Sequence, residues 1–329
     1  MKYASFRYDT SVNLGDQVQS FAAEQYLPRL DAHVDRDSLD EVSGPDETLV
    51  IMNGWFSDKP EHWPPSEAVA PIFFGFHATY YNGFNKRFLE PDSIAYLKTQ
   101  EPIGCRDRQT RDWLRERGVD AFYSKCLTLT FPKREREPEN GKVFLVDVEY
   151  YPVKRSLRRA GVKLSQMTVS VYDDATKREM MAQLLETYKN EAALVVTSKL
   201  HCAMPCLAMG IPVVFIGKPD DYRTTLLRDV GLEIQPYRLP KNKVLRLLKW
   251  ALYETLGLGY VRKNLWDGQV LDLEAEKASI RAQLAEQFNR RVGQHVRLAT
   301  PGLGTRLRRR APGTRPERNA PSASGPTNR

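Results

Sequence analysis

The sequence lacks the features of a membrane-spanning, secreted or disulfide-stabilised protein. Its longest apolar runs, such as the one at 213–216, are far shorter than the about 20 residues that a bilayer-spanning helix needs. The first ten residues contain no apolar segment of the kind found in secretory signal peptides. Only four cysteines occur in 329 residues, which suits a reducing compartment. These absences predict a soluble, cytoplasmic protein.

Acidic residues are scarce in one part of the chain, and this scarcity explains most of the net charge of +8. Residues 301–329 contain seven arginines and one glutamate, a charge of +6, which leaves +2 for the remainder. This Pro-, Gly- and Ser-rich tail is predicted to be disordered because it has too little apolar surface to bury. It has no aromatic residues to stack on bases, so nucleic-acid binding is not expected. A solvated tail without a role and a peripheral tether to an anionic membrane both remain open.

Short apolar runs alternate with helical patterns along the rest of the chain. The predicted strands are 3–8, 48–52, 72–76, 102–105, 120–124, 143–148, 167–172, 193–197 and 212–216. Helices are predicted between them, including 108–117, a helix with a capping box at Thr176 and Glu179, and 272–292. Buried strands that alternate with helices are typical of α/β proteins with parallel sheets.

A charged segment at 133–141 reads as a linker and divides this body into two halves. We therefore predict a Rossmann-like domain over 1–132, a second one with terminal helices over 142–298, and a disordered tail over 299–329. The two domains are expected to face a cleft. A basic, strongly apolar helix is predicted over 241–260, either packed on its domain with Lys and Arg outward or lying on an anionic membrane.

Polar, basic or aromatic residues follow almost every predicted strand. In open parallel sheets, ligands bind beyond the carboxyl ends of the strands. The cleft is therefore predicted to be basic, and suited to an anionic ligand together with a polyhydroxyl one. The candidate binding residues are Asn13, Gly15, Asp16, Asn53, His77, Tyr80, Arg106, Lys125, Ser198, Lys199, Lys218 and Arg223.

One histidine lies where a helix is predicted to begin. Because Pro205 is tolerated best in a first turn, the helix is predicted to start near Cys202–Met204, which places His201 at its N-terminus. Helix N-termini attract anions. A structural histidine bonded to a backbone carbonyl is the alternative. Zinc binding by His201, Cys202 and Cys206 is not expected, because these neighbours lack a fourth ligand, and the cysteines are expected to pack as small apolar groups.

Four segments carry a resemblance to a known family. They read Asn-Leu-Gly-Asp at 13–16, Gly-Cys-Arg-Asp at 104–107, Ser-Lys-Cys-Leu-Thr-Leu-Thr at 124–130, and Thr-Ser-Lys-Leu-His at 197–201. Together, over roughly 5–235, the chain resembles the polysaccharide pyruvyl transferases. Lys199 stands where the family commonly has arginine, and lysine lacks the bidentate fork of a guanidinium group.

The resemblance implies a GT-B-like pair of domains that transfers the enolpyruvyl moiety of phosphoenolpyruvate to a sugar. The product would be a pyruvate ketal on a polysaccharide building block, formed with release of phosphate and without a cofactor. His201 would be the general acid, and Arg106, Lys199 and Arg223 would hold the phosphate and carboxylate. The residues expected to face the sugar are Asn13, Asp16, His77 and the loop of Tyr80, Tyr81 and Asn82.

Two other functions fit the same sequence. A nucleotide-sugar glycosyltransferase of the same fold would release a nucleoside diphosphate instead of phosphate. A non-catalytic carbohydrate-binding protein would bind sugar without turning over phosphoenolpyruvate. For Arg106, an ion pair with Asp107 or Asp112 is the alternative to a role in ligand binding.

Overall fold

The computed structural model describes residues 1–56, 59–78, 84–218, 221–237, 240–256 and 265–293. The strands before the linker are β1 (Lys2–Arg7), β2 (Ala32–Asp35), β3 (Thr48–Ile51), β4 (Gly54–Phe56), β5 (Val69–Ile72), β6 (Phe76–Ala78), β7 (Ile103–Cys105) and β8 (Ala121–Tyr123). The strands after it are β9 (Lys142–Val146), β10 (Val162–Leu164), β11 (Ala192–Thr197), β12 (Val213–Gly217) and β13 (Ile234–Pro236).

Helices connect these strands. The first half contains α1 (Gly15–Glu24), α2 (Phe84–Phe88), α3 (Pro91–Thr99) and α4 (Arg108–Arg115). The second half contains α5 (Arg155–Ala160), α6 (Asp174–Glu191), α7 (Leu200–Ala208), α8 (Thr225–Asp229), α9 (Lys243–Leu256) and α10 (Glu274–Val292). The predicted tail lies outside the described residues. In the part of the chain that the structure covers, no helix is long and apolar enough to cross a membrane.

All described strand pairings are parallel, which confirms the α/β class. The first half contains two four-stranded sheets, in the orders β2-β1-β3-β5 and β4-β6-β7-β8. The chain runs from β3 into β4 and from β5 into β6, so two chain segments each contribute to both sheets. The prediction of one continuous strand over 72–76 is wrong. The chain bends at Gly75, whose φ of 76° is a conformation that glycine adopts easily and other residues rarely adopt. A Cβ at this position would also lie 2.2 Å from Oδ1 of Asn53.

The second half is a five-stranded sheet in the order β10-β9-β11-β12-β13. The order reverses between β9 and β11, and ligands bind at such a switch point. The predicted strand at 167–172 is wrong, because its apolar residues face solvent: Val169 is 54% and Val171 81% exposed. The Asp147 carboxylate, at the end of β9, instead accepts hydrogen bonds from Ser165 Oγ and the backbone N of Gln166, which turns the chain away from the sheet.

Helix α7 begins earlier than the sequence predicted. It starts at Leu200 and contains Pro205 in its interior, so the expectation that this proline marks the first turn is wrong. Pro205 has no N–H to donate to the carbonyl oxygen of His201, four residues earlier. Nε2 of Gln166 donates to that oxygen at 3.4 Å. The loop after β10 therefore compensates the proline, and Cys202 and Cys206 pack as buried, free thiols, as predicted.

Two helix termini carry further corrections. Helix α6 begins after Asp173, whose side chain accepts from the backbone N of Thr176, so the N-cap lies three residues before the predicted capping box. The expectation that the helix at 241–260 packs with its apolar residues inward is wrong. Five apolar residues of its described part, α9, are 52–64% exposed: Val244, Leu245, Leu247, Leu248 and Leu252.

Buried contacts join the two halves. One hydrophobic cluster extends from β3 and β5 through α7 and β11 to the last helix, α10. Helix α10 lies against β5 of the first half, and Nζ of Lys125 is 2.6 Å from Oε2 of Glu276. The domain boundaries given above remain a prediction.

Lys177 in α6 is 1% exposed and donates from Nζ to the backbone oxygens of Tyr8 and Asp9, at 3.2 and 2.9 Å. These oxygens follow β1, so a single ammonium group connects the second half to the chain that enters α1. We predict that Lys177→Met lowers the free energy of unfolding by about 1–3 kcal/mol, because two buried carbonyls lose their donor. Urea denaturation measures the change.

Lys189→Met on the same helix is the matched control. Lys189 is partly exposed, and its ion pair with Glu186 is long, at 3.9 Å. Its loss should therefore cost about 0.5 kcal/mol or less. Equal destabilisation by the two variants would contradict the structural role assigned to Lys177.

Candidate active site

A pocket of about 670 Å³ lies at the carboxyl ends of strands from both halves. Nine residues predicted from the sequence line it: Asn13, Asp16, His77, Arg106, Ser198, Lys199, His201, Lys218 and Arg223. The other lining residues are Trp55, Tyr151, Gln166, Leu200, Phe215, Ile216, Gly217, Asp221 and Thr224. The strand-end argument therefore located one common site.

Four predicted residues do not line this pocket. Gly15 lies just behind it, where a Cβ would be 3.2 Å from Cβ of His201, so glycine permits the close approach of α1 and α7. Asn53 is buried and donates from Nδ2 to the backbone oxygen of Gln19. The Lys125 ammonium is held by its ion pair with α10. Tyr80, with its neighbours Tyr81 and Asn82, lies outside the described residues.

Arg106 supplies a buried positive charge to the pocket. It follows β7 and is 4% exposed, and its backbone N donates to the oxygen of Phe76. Its guanidinium donates from NH1 to Oε1 of Gln19 at 3.3 Å. Among the described residues it forms no ion pair with a carboxylate, so the alternative pairing with Asp107 or Asp112 is wrong. Burial lowers the pKa of Arg106, and an anionic ligand would compensate the cost of holding this charge in a desolvated site.

His77 and Asp107 form a buried pair beside Arg106. Nδ1 of His77 lies 2.6 Å from Oδ2 of Asp107, and each side chain is 1% exposed. Asp107 also caps α4, accepting from the backbone N and Oγ1 of Thr110 at 2.8 and 3.0 Å. These bonds fix the carboxylate, so it orients the imidazole ring as well as beginning the helix.

The charges around this pair keep His77 neutral and Asp107 ionised. Burial and the Arg106 charge lower the pKa of His77 to about 4, against the opposing effect of Asp107. Burial acts to raise the pKa of Asp107, but His77 and Arg106 lower it. Because an ionised carboxylate can only accept, the ring proton lies on Nδ1 and Nε2 carries the lone pair. Nε2 is buried at the pocket and has no hydrogen-bond partner among the described residues.

His201 approaches the pocket from the second half. It is the second residue of α7 and is 9% exposed. Its Nε2 is also buried and lacks a partner in the described ranges, which does not fit a structural histidine bonded through that atom to a carbonyl. Burial, then the charge of Arg106 and the proximity of His77, lower the pKa of His201 well below its usual range. Two neutral imidazoles therefore lie near the buried guanidinium of Arg106 in this pocket.

The remaining cations of the pocket lie nearer its rim. Lys199 is the N-cap residue of α7, and its Nζ is 4.0 Å from Oδ2 of Asp147. Arg223 forms an ion pair with Asp221, with NH2 and Oδ2 2.6 Å apart. Lys218 is exposed. The predicted cluster of basic residues is thus present, but the charges of Lys199 and Arg223 are partly balanced by carboxylates.

The opposite wall combines an acid and an aromatic ring. Oδ1 of Asp16 accepts from Nε1 of Trp55 at 3.2 Å, and Oδ2 accepts from Oγ of Ser11 at 2.6 Å. Arg36, fully buried behind them, lies 3.8 Å from Asp16 and stacks over the Trp55 ring at 4.5 Å. A fixed indole and fixed polar groups suit a ligand with an apolar ring face and hydroxyls.

Sequence reasoning missed several residues of the site. Asp107 and Trp55 each follow a predicted strand, so the strand-end signal could have included them. Gln166 and Tyr151 lie in segments whose structure was predicted wrongly or not at all, and nothing in the local pattern marks them. Within the described ranges, no group of three or more His, Cys, Asp or Glu side chains is placed to hold a metal ion.

Parallel sheets with a basic, histidine-containing pocket at their carboxyl ends define an α/β protein whose pocket has a charge that suits an anionic ligand. Within that class the chain belongs to the polysaccharide pyruvyl transferase family, whose model matches residues 13–218. Comparison with curated proteins gave no match. Among solved structures, the chain is similar to a functionally uncharacterized protein from Klebsiella pneumoniae subsp. pneumoniae NTUH-K2044. The identity is 12% and the TM-score 0.43, over 69% of this chain and 88% of that chain, too low a similarity to support an argument.

Acid should destabilise the protein through its two buried histidines. Both imidazoles titrate near pH 6.5 when unfolded, but their pKa values are lowered in the folded protein, to about 4 for His77. As the pH falls through this window, the unfolded chain binds more protons. The free energy of unfolding should therefore fall by about 1.4 kcal/mol per pH unit for each histidine. Urea denaturation at about pH 7, 6 and 5 measures the slope.

The variants His77→Gln and His201→Gln assign that slope. Each should remove about half of the contribution of the pair, and the double variant should remove both halves. A slope that stays unchanged in the double variant would show that these imidazoles are not held neutral in the folded protein.

Proposed function

We propose that this protein transfers the enolpyruvyl group of phosphoenolpyruvate to a sugar that bears two neighbouring hydroxyls, forming a pyruvate ketal and releasing phosphate. The family membership supports the reaction class. The observation that carries the proposal is the buried Arg106 charge, which has no carboxylate partner among the described residues and lies beside two neutral imidazoles.

Phosphoenolpyruvate suits the charge of this pocket. Its phosphate and its carboxylate each present a pair of oxygens, and a guanidinium can donate two parallel hydrogen bonds to such a pair. Arg106 would hold the buried part of the donor, while Lys199 and Arg223 would exchange their carboxylate partners for the donor's outer oxygens. We place the donor toward the 142–298 half and the acceptor toward the 1–132 half, in a GT-B-like arrangement.

His201 is proposed as the general acid. Ketal formation requires a proton on the methylene carbon of phosphoenolpyruvate, and a neutral imidazole cannot supply one until it is protonated. A multiply charged anion on Arg106 would offset the cation that lowers the His201 pKa, and so would raise that pKa. The donor would thereby prepare the acid only when it is bound.

His77 is proposed as the general base. Its Nε2 lone pair faces the pocket, and Asp107 stabilises the imidazolium that forms when a hydroxyl proton is taken. The first sugar oxygen then bonds to the central carbon as the double bond takes the proton from His201. The second oxygen displaces phosphate from that carbon. One of the two hydroxyl protons replaces the proton that His201 gave to the new methyl group, and the other leaves with phosphate.

The Trp55 wall is proposed to receive the sugar. The indole offers a flat apolar surface to the ring, and Asp16 and Asn13 offer acceptors and donors at its edge. The proposed acceptor class is a sugar diol.

The proposal is tested by incubating the protein with phosphoenolpyruvate and a panel of sugars, nucleotide sugars and lipid-linked sugars. Phosphate release and the mass of the acceptor are followed together. Equal amounts of phosphate and pyruvate ketal would support the proposal. Release of a nucleoside diphosphate from a nucleotide sugar would instead identify a glycosyltransferase, and binding of sugar with no turnover of any donor would identify a carbohydrate-binding protein.

Loss of either imidazole should reduce turnover by about 10²–10⁴-fold, the usual contribution of general acid–base catalysis. His201→Gln and His77→Gln are measured under saturating donor and acceptor. Asp107→Asn should keep some activity but move the acid limb of the pH–rate profile to lower pH, because His77 loses the ionised partner that raises its pKa. Retention of more than about a tenth of the turnover by His201→Gln would show that His201 is not the acid.

Arg106→Ala should raise the KM for phosphoenolpyruvate far more than the KM for the acceptor, because the guanidinium is assigned to the donor. A charge-assisted hydrogen bond contributes about 1.5–3 kcal/mol, which predicts an increase of roughly 10–100-fold. Arg108→Ala is the matched control: it lies two residues away, is half-exposed and pairs with Asp229 outside the pocket. A greatly raised KM for the acceptor, with an unchanged KM for phosphoenolpyruvate, would reverse the assignment of the two ligands.

A further inference from the structure

Helix α9 exposes its apolar side to solvent, whereas a helix packed on a domain normally buries that side. Its five exposed apolar residues, Val244 to Leu252, lie on one arc, as their spacing along a helix requires. Its polar side contacts the protein instead. The Arg246 guanidinium lies 5.9 Å from the Tyr150 ring and donates to the backbone oxygen of Pro240, and Nζ of Lys249 lies 5.7 Å from the Tyr237 ring.

The charge of this surface is mainly positive. Residues 241–256 contain Lys241, Lys243, Arg246 and Lys249 but a single acid, Glu254. At 100° per residue, Lys249 borders one edge of the apolar arc, and Lys243 borders the other edge, where Glu254 also falls. Lys241, Lys243 and Lys249 are all exposed. An apolar arc flanked by a net positive charge is the pattern of a helix that lies in a membrane surface.

We propose that α9 binds this protein to the surface of a membrane that contains anionic phospholipids. The Leu and Val side chains enter the boundary between headgroups and acyl chains, and the lysine edges meet the lipid phosphates. The proposal does not depend on the transferase activity, because it rests on the exposure and charge of α9 alone.

The charge favours a membrane over a second copy of the chain. In a two-fold symmetric contact the same patch meets itself, so the basic edges of one α9 would face the basic edges of the other. With one acid against four basic residues within 241–256, at most one basic residue of each helix could pair with an acid of the other α9. Anionic lipids supply the missing negative charge on both edges at once.

The position of α9 links this surface to the pocket. Arg246 contacts Tyr150, and the next residue, Tyr151, lines the pocket and packs against Tyr237 with ring centroids 5.5 Å apart. A protein bound through α9 therefore holds one wall of its pocket beside the membrane.

Sedimentation with vesicles tests the proposal on the full-length protein. Vesicles of phosphatidylcholine alone are compared with vesicles that also contain phosphatidylglycerol, at low and physiological salt. The test variant combines Leu248→Ser and Leu252→Ser, which removes apolar surface without changing charge. The matched control is Val171→Ser, because Val171 is 81% exposed and lies in the segment before α6, outside α9.

The wild type and Val171→Ser should bind anionic vesicles, more weakly at higher salt, and should bind neutral vesicles poorly. The double serine variant should partition at least about tenfold more weakly, because two leucine side chains no longer enter the apolar boundary of the membrane. A second variant, Lys243→Gln with Lys249→Gln, should weaken binding to anionic vesicles only. Thermal unfolding confirms that the exposed substitutions leave the fold intact.

Three results would overturn the proposal. The double serine variant could bind as well as the wild type, with binding lost only on deletion of 301–329, which would assign the membrane contact to the tail. Light scattering could show that the wild type is a dimer that the serine variant disrupts, with no vesicle binding by either. Absence of vesicle binding by a monomeric wild type would show that another part of the chain covers α9.

Discussion

The buried charge of Arg106 is the constraint on which the site depends. Within the described ranges, this guanidinium is 4% exposed, donates to the neutral Gln19 and forms no ion pair with a carboxylate. That charge contributes to the low pKa of both His77 and His201. An anion that binds Arg106 therefore changes the proton affinity of both imidazoles, so ligand binding and acid–base chemistry are coupled through one residue.

The second half contributes His201, and four features bring it to Arg106. Gly15 allows α1 to approach α7 closely, and the parallel sheet of the second half places α7 after the strand at its switch point. Gln166 accommodates Pro205 by donating to the His201 carbonyl, which keeps the start of the helix intact around the imidazole. Lys177 connects the same half to the end of β1. Each contact crosses between segments that lie far apart in the chain, so the site requires both halves.

The sequence was informative where its signals were local. Apolar runs predicted the central strands, and the carboxyl-end argument brought nine candidates to one pocket. Predictions failed where a distant partner decided the outcome. Pro205 lies inside a helix because Gln166 replaces its missing hydrogen bond, and Asp147 turns the chain at 165–167 out of the sheet. The pairing of Asp107 with His77 joins residues from two strand ends, and the outward apolar face of α9 opposes the packing that its composition suggests for a globular domain.

Nitrogen NMR of the imidazole rings tests the central claim most directly. The protein is labelled with ¹⁵N on its five histidines, and the variants at positions 77 and 201 assign the two signals. At about neutral pH in the free protein, the account predicts that both rings are neutral and that His77 carries its proton on Nδ1. Addition of phosphoenolpyruvate should raise the pKa of His201 markedly. An imidazolium at either position in the free protein, or saturation with phosphoenolpyruvate that leaves the His201 pKa unchanged, would contradict the role assigned to Arg106.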